Sequence, residues 1–401
     1  MREGYKKTEI GVIPVEWEVV KLDSLGEIIT GSTPKTSNQD FYLNGTRLWA
    51  SPSDLGKSKE IKTTNTKLSD LGFEQIRVLK KRSILITCIG STIGKMGIAY
   101  EEMSSNQQIN AITCNENNNP DFYYYVLFKI KGKIQKLAGT QAVPLLNKTD
   151  FSHIKVIQPP LKEQEKIASI LSTADEKIEA IAEQIEKHET LKKGLLQKLL
   201  SEGIGHTEFK ESELGRVPVG WEVVKLEDIA KINMGQSPKS DTYNEDGIGL
   251  PLVQGNADCK NRKTIPRVYT SEPTKICSVG DIIMTVRAPV GAIVKSYHDA
   301  CIGRGVCAIQ ANEDNEFLYQ LLIDYEDKWE KLSQGSTFTA VNANDVKNIK
   351  LPFPPLQEQK QIADILSTAD QKLEVLRAKK VKYETLKKGL LQKLLSGEVR
   401  V

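Results

Sequence analysis

Cysteine, histidine and aromatic residues are scarce in this chain of 401 residues: six Cys, four His, and 6% Phe, Trp and Tyr. The six cysteines (Cys88, Cys114, Cys259, Cys277, Cys301 and Cys307) are nowhere spaced C-x-x-C. With so few histidines to complete a ligand set, this argues against a zinc site and against a disulfide framework. Scattered reduced thiols fit a cytoplasmic protein. No apolar run approaches the roughly 20 residues that a membrane span needs, and the opening MREGYKKTEIG lacks the apolar stretch of a signal peptide. The expectation is therefore a cytoplasmic chain with no membrane partner. Catalytic signatures are missing too. GSTIGKM from Gly90 has three residues, not four, between its glycines, and Met96 stands where a phosphate loop needs Ser or Thr. GRG from Gly303 lacks the third glycine of a dinucleotide site. The chain contains no H-E-x-x-H, G-x-S-x-G or NPPY-like motif and no paired acidic metal cluster. No metal or catalytic residue is assigned, and no cofactor is expected on the chain itself.

Charge is present but uneven. Lys and Arg against Asp and Glu number 21 and 16 over residues 1–160, 7 and 8 over 161–201, 17 and 22 over 202–353, and 10 and 6 over 354–401. A protein that coats a polyanion by bulk charge would not carry a net −5 in its second globular segment. Binding to nucleic acid would have to use local basic clusters.

An internal repeat organises the chain. IGVIPVEWEVVKLDSLGEIITGSTPK (10–35) recurs as LGRVPVGWEVVKLEDIAKINMGQSPK (214–239), and the 43 residues from Pro159 recur from Pro354 as PPLQEQKQIADILSTADQKLEVLRAKKVKYETLKKGLLQKLLS. The stretches between, about 36–158 and 240–353, scarcely align. Unlike inserts in one duplicated frame suggest two readers for two targets, whereas duplicated enzymes would keep their catalytic residues. Trp17 and Trp221 occupy matched positions and read as core anchors.

After each diproline stop, apolar residues repeat in steps of four and three: Ile167, Leu171, Ala174, Ile178, Ile181 and Ile185, then Ile362, Leu366, Ala369, Leu373 and Leu376, with Lys380 in the last place. This is a heptad seam, which shifts phase to Leu191, Leu195, Leu199 and Leu386, Leu390, Leu394. Forty residues of helix make a rod of about 60 Å, and the natural partner of each such helix is the other, antiparallel. The run ETLKKGLLQKLLS keeps its charges in both copies, so Lys192, Lys193, Lys198, Lys387, Lys388 and Lys393 are candidates for docking a partner.

The fold class expected is α+β: two globular α/β domains separated by two long helices in an antiparallel coiled coil, pseudo-two-fold symmetric. Boundaries fall at 1–158, 159–201 (first helix), 202–213 (linker), 214–353 and 354–401 (second helix). Each insert has β-like runs, such as Ser83–Ile89 and Asp281–Val286, and one helical stretch, Asp121–Leu137 or Asn315–Leu332. Residues 5–11 match 209–215, so the N-terminus reads as the continuation of a repeat helix and the two chain ends should lie close together.

Polar and cationic residues near Gly-rich turns are the candidate nucleic-acid contacts, because Arg and Lys match guanine edges and phosphates and Asn and Gln match adenine. The second insert offers Gln254, Asn256, Lys260, Arg262, Lys263, Arg267, Arg287 and Arg304. The first offers Lys35, Ser51, Asp54, Lys57, Lys59, Ser91, Thr92, Lys95, Asn106 and Gln107.

P-x-x-W-E-V-V-K-L followed by G-x-(S/T)-P-K, the segments PPLKEQEKIASILSTAD and PPLQEQKQIADILSTAD, and the insert runs IGSTIGKMGIAYEEMSSNQ and MTVRAPVGAIVKSYHDACIGRG together resemble the specificity subunit of a Type I restriction-modification system, over essentially the full length. The resemblance implies two target recognition domains, each reading half of a bipartite double-stranded DNA site, and a helical spacer between them. It implies two methyltransferase (modification) subunits and two restriction/translocase subunits as partners, with S-adenosylmethionine, ATP and Mg on those partners and no catalysis by this chain. It places Lys35, Ser51, Lys95, Lys239, Gln254, Asn256, Arg262, Arg287 and Arg304 in the reading surfaces. A DNA-modifying enzyme with an unfamiliar site and a bivalent protein scaffold are the competing classes.

Overall fold

The structure is a computed structural model that describes residues 3–139, 143–334 and 340–401. It forms two compact units, Met1–Ala182 with Lys379–Val401, and Glu183–Ala378. The change from strand to helix falls at the diproline stops, after Gln158 and Phe353, but the compact units divide within the long helices.

Each unit is built around a mixed sheet. In the first, the strand order is Gly26–Thr30, Ile109–Cys114, Ile84–Thr87, Met96–Ala99, Glu60–Ile61. In the second it is Ala230–Met234, Val306–Ala311, Ile282–Thr285, Ile293–Lys295, Lys263–Thr264, Cys259–Lys260. The central runs ILIT and IIMT are buried at every position, as expected of strands covered on both faces. A smaller sheet, which includes Arg47–Ala50 or Leu250–Val253, lies beside each. The strand after each anchor tryptophan pairs antiparallel with the strand that leads into the long helix, Glu18–Lys21 with Lys155–Gln158 and Glu222–Lys225 with Lys350–Phe353. The two ends of each globular part are thereby clasped at one place.

The first insert's helical stretch is two helices. α1 (Pro120–Lys129) begins on Asn119, whose side chain accepts the Phe122 N–H, with Pro120 in the first turn where its missing donor costs nothing. Ile130 leaves helical geometry, and the following helix, Lys131–Leu137, turns Ile134 into the core. The long helices are α2 (Leu161–Glu202) and α4 (Leu356–Leu394), and α3 (Asn315–Gln334) is the counterpart of α1.

Within each unit the long helices run antiparallel. In the first, Ile167, Ala168 and Leu171 share a core with Leu390, Leu391, Leu394 and Leu395, while Lys387 pairs with Asp175. In the second, Ile362, Ala363 and Leu366 share one with Leu195, Leu196, Leu199 and Leu200, and Lys192 meets Asp370 at 2.6 Å. Each fully buried leucine contributes about 1.5–3 kcal/mol. The expected seam fails at one matched position: Leu191 and Leu386 are both 53% exposed. Past the stutter, the buried face turns to Leu195, Leu196, Leu199 and Leu200, which pack on the globular core around Trp221 as well as on α4.

The diproline motif is a joint. Glu163 accepts the Trp17 indole N–H at 2.9 Å, and Glu358 accepts that of Trp221 at 2.9 Å. The neighbouring Gln164 and Gln359 donate to the carbonyls of Pro159 and Pro354. In the second unit the chain leaving α2 closes the joint: Ile204 N–H and the His206 ring both meet Glu358. In the first, the C-terminal tail does so without a covalent link, since Arg400 donates to Glu163 and Glu16 and the Tyr5 hydroxyl donates to the Gly397 carbonyl at 2.6 Å. Gly203 (φ 66°) and Gly397 (φ 69°) end the two helices in left-handed backbone, and a Cβ on either would press on the joint's tryptophan or Pro14. The chain ends thus meet as expected. Residues 5–14 are not helical, however: they form a hairpin, Tyr5–Thr8 with Gly11–Pro14, matched by Phe209–Ser212 with Gly215–Pro218.

Candidate nucleic-acid interface

Three loops converge in each globular part. In the first unit they are residues 31–35, 51–57 and 105–108, tied by Gly31 N–H to the Ile109 carbonyl (3.0 Å), Ser32 N–H to Ser105 (2.8 Å) and Asn106 N–H to Ala50 (2.9 Å). Lys35 lies on the first loop and Ser51 on the second, where its N–H and hydroxyl both bond the Asp54 carboxylate. The stem of Lys95 packs against Gly56, and Gln107 on the third loop is bonded to Thr33 on the first.

The second unit repeats this arrangement with other side chains. Loops 235–239, 254–258 and 303–305 are tied by Gly235 N–H to Val306 (3.0 Å), Gln236 N–H to Ile302 (2.8 Å) and Gly303 N–H to Val253 (2.8 Å). Asp258 accepts the Gln254 N–H at 2.8 Å, the same turn that Asp54 makes with Ser51. Lys239, Gln254, Asn256 and Arg304 lie on these loops, and Val286 N–H bonded to Gly305 brings Arg287 beside them. All five are exposed. Among the described residues, the side chains of Lys35, Lys95, Lys239, Arg287 and Arg304 take part in no ion pair or hydrogen bond, so their donors are available to an anionic or base-edge partner.

The remaining candidates sit elsewhere. Lys260 is exposed on the hairpin that follows the second loop. Arg262 makes a two-pronged ion pair with Glu326 of α3 and donates to the Ile293 carbonyl at 3.0 Å. Burial disfavours its charge, but Glu326 overcomes that and holds the guanidinium above its usual range. Lys263 bonds Glu374 of α4 at 2.6 Å, which raises its ammonium likewise, and Arg267 bonds Asp258 at 3.0 Å. Lys59 bonds Asp121 at 2.8 Å and Ser172 at 2.6 Å. Of the six helix lysines, Lys192 and Lys387 are turned into ion pairs. Lys193, Lys198 and Lys388 are exposed, and Lys393 is exposed at 3.9 Å from Glu398.

Sequence reasoning overlooked two tyrosines. The Tyr42 hydroxyl donates to Pro34 (3.0 Å) and that of Tyr243 to Pro238 (3.3 Å), bracing the S/T-P-K turn in both units, and Tyr243 also accepts the Gln254 amide at 3.0 Å. A tyrosine a few residues past each S/T-P-K was the available signal. Arg77 was missed too: its guanidinium donates to the Thr30 carbonyl at the root of the first loop.

No group of three or more His, Cys, Asp and Glu among the described residues is placed to hold a metal ion. Burial pushes the Cys88 and Cys307 thiols up to about 12, far from nucleophilic. No helix among the described residues is long and apolar enough to cross a membrane.

The family model of the type I restriction modification DNA specificity domain matches residues 14–189 and again 218–384. The putative type I restriction enzyme MjaX specificity subunit of Methanocaldococcus jannaschii is 37% identical over 417 residues, covering all of this chain and 97% of that protein. The MjaVIII specificity subunit of the same organism is 30% identical, covering all of this chain and 96% of that one. Among solved structures, the S subunit of a type I restriction-modification system from M. genitalium shares the fold, with a TM-score of 0.67 at 19% identity over 94% of this chain and 96% of the other. Two matched domains on two like three-loop clusters, with relatives aligned end to end, place this chain in the family of type I restriction-modification specificity subunits.

Proposed function

We propose that this chain reads a bipartite, asymmetric double-stranded DNA site, one half with each three-loop cluster, and carries no catalysis of its own. The observation that carries this reading is that one loop frame, with a lysine common to both units (Lys35, Lys239), presents different side chains beside it: Ser51 and Gln107 in the first, Gln254 and Arg304 in the second. Amide and guanidinium groups suit base edges, and the exposed lysines suit phosphates. Local clusters of this kind also resolve the acidic balance of the second globular segment, because reading needs donors at the contact and not net charge over the domain. α2 and α4 serve as the spacer.

Chemistry is left to partners: two methyltransferase subunits, which bring S-adenosylmethionine, and two restriction/translocase subunits, which bring ATP and Mg, in the cytoplasm. Their docking surface is the exposed side of the doubled ETLKKGLL run, with Lys193 and Lys388, while Lys192 and Lys387 turn away from it into their ion pairs. Leu191 and Leu386 are exposed there, and Gly194 and Gly389 have open space above them. A glycine within a helix costs about 1 kcal/mol against alanine. Its presence in both copies suits close approach of a second backbone.

The test is selection from duplexes with a randomised centre, using the full chain co-expressed with a methyltransferase subunit. Two separated half-sites should emerge. Arg304→Ala should cost about 1–3 kcal/mol at one base of one half-site if it reads guanine. A selected pool without sequence preference, or one altered equally in both halves, contradicts the reading.

A further inference from the structure

Three cationic side chains outside the loop clusters, Lys59, Arg262 and Lys263, share one arrangement, and it recurs in both units with different chemistry. Directly after the second loop of each cluster the chain is bound back to the helices. In the first unit Lys59, two residues past that loop, bonds Asp121 of α1 and Ser172 of α2. In the second, Arg262 and Lys263 bond Glu326 of α3 and Glu374 of α4. Both bindings run into a reciprocal pair of interhelix contacts. Asp175 on α2 receives Lys387 from α4 and the Tyr125 hydroxyl at 2.6 Å. Asp370 on α4 receives Lys192 from α2 and the Gln320 amide at 2.8 Å. Asp175 and Asp370 end the two L-S-T-A-D runs, and Lys192 and Lys387 sit in the two E-T-L-K-K runs, so the repeat keeps the charges that make these contacts.

Tyr125 and Gln320 are fully buried. Each lies on the short helix of its globular part and reaches the long-helix pair through the aspartate. Lys387 also lies over the Tyr125 and Phe128 rings of α1, at 5.6 and 5.4 Å from their centroids. The aspartate therefore joins three bodies: its own helix, the antiparallel partner and the helix that backs the reading sheet.

We propose that Asp175 with Lys387, and Asp370 with Lys192, are positioning residues for DNA reading, which fix the angle of each loop cluster on its helix pair and so determine which spacing between half-sites the chain accepts. This rests on the assignment of the loop clusters as the DNA readers. Moving a half-site by one base pair displaces it by about 3.4 Å and turns it by about 34° around the duplex. Only a reader held at a fixed angle rejects such a shift. Interactions made by side chains that touch no DNA would then appear as spacing selectivity.

The second unit offers a clean test, because the buried Gln320 Oε1 has no hydrogen-bond partner. Charge reversal, Lys192→Asp with Asp370→Lys, keeps the ion pair and gives that oxygen a donor, since an amide serves either partner. The readout is binding of the full chain with its methyltransferase subunit to duplexes carrying the selected site with the spacer changed by one base pair either way. Wild-type protein should prefer its own spacing by about tenfold or more, equivalent to the step of one decade in affinity. Lys192→Met should reduce that preference to about threefold or less while leaving the ranking of bases in both half-sites unchanged, and the reversed pair should restore it. A uniform loss on all spacers in Lys192→Met, or a folded charge-reversed protein with the preference still lost, overturns the proposal. If Lys192→Met does not fold, the reversed pair alone decides by the same criterion. Arg304→Ala run alongside separates the two levels: unchanged bases there mean the readers are misassigned, whereas changed bases with unmoved spacing in the helix variants sink only this inference.

Discussion

The two joints at the diproline motifs perform one task by different means. In the second unit Glu358 holds Trp221, and the continuous chain after α2 supplies Ile204 and His206 to complete it. In the first unit Glu163 holds Trp17, and the final residues of the chain supply Arg400 in their place. The same closure is thus made once by a linker and once by two chain ends. The closure, not the connectivity, is what the duplicated frame preserves, and the C-terminal tail belongs to the fold of the first unit.

Breaking the acceptor should have the largest effect. Glu163→Ala strands the indole N–H of a fully buried tryptophan and removes the partner of Arg400, and Glu358→Ala strands Trp221. Each should cost about 2–4 kcal/mol, read as a lower denaturant midpoint. The loss of hydrogen-exchange protection should be confined to the unit that carries the change. Protection lost equally in both units would show that the joints are not local.

Deletion of 397–401 sharpens the comparison, because it opens only the joint that lacks a covalent link. It removes the Tyr5 and Arg400 contacts but leaves Trp17 on Glu163, so a smaller cost of about 1–2 kcal/mol is expected, with faster exchange of the Trp17 indole than of Trp221. Equal indole exchange in the truncated protein would contradict a structural role for the tail.

The smallest effect is set by pH and again distinguishes the units. Burial works to raise the Asp121 carboxyl, but hydrogen bonds and charge from Lys59 and Arg82 outweigh it and hold the group below its usual range. A depressed carboxylate contributes stability above its unfolded pKa that is lost as pH falls through the folded value. Asp121→Asn should therefore flatten the acid limb of the first unit's unfolding, below about pH 4, and leave the second unit's unchanged. An unaltered acid limb would show that Lys59 and Arg82 do not stabilise the charged form.

The repeat, the long helices, their antiparallel pairing and the meeting of the chain ends were legible because each is written in spacing or in duplicated residues. Apolar periodicity located the seam but not the exposure of Leu191 and Leu386, since after the phase shift the same leucine pattern serves a globular core as well as a helix partner. The joints were invisible for a different reason: a glutamate in the first turn of a helix is ordinary, and nothing local marks Glu163 as the acceptor for a tryptophan 146 residues away. Composition likewise could not sort the basic residues of the second insert. Arg262 and Arg304 look alike in sequence, and only the fold sets Glu326 beside one and leaves the other exposed.

The central claim is that each unit is one complete reader in a common frame, and a half-chain of residues 1 to about 206 tests it most directly. That fragment has the first loop cluster and all of α2, but not the end of α4 that closes its unit. A second copy can supply the equivalent segment, with Lys192, Leu195 and Leu199 standing in for Lys387, Leu390 and Leu394, and Ile185 favours self-pairing where the second half would place Lys380. Light scattering combined with selection of duplexes in the presence of the methyltransferase subunit should yield a two-fold homodimer on an inverted repeat of one half of the full chain's site. A monomer, or a dimer that still selects the asymmetric site, would contradict the account.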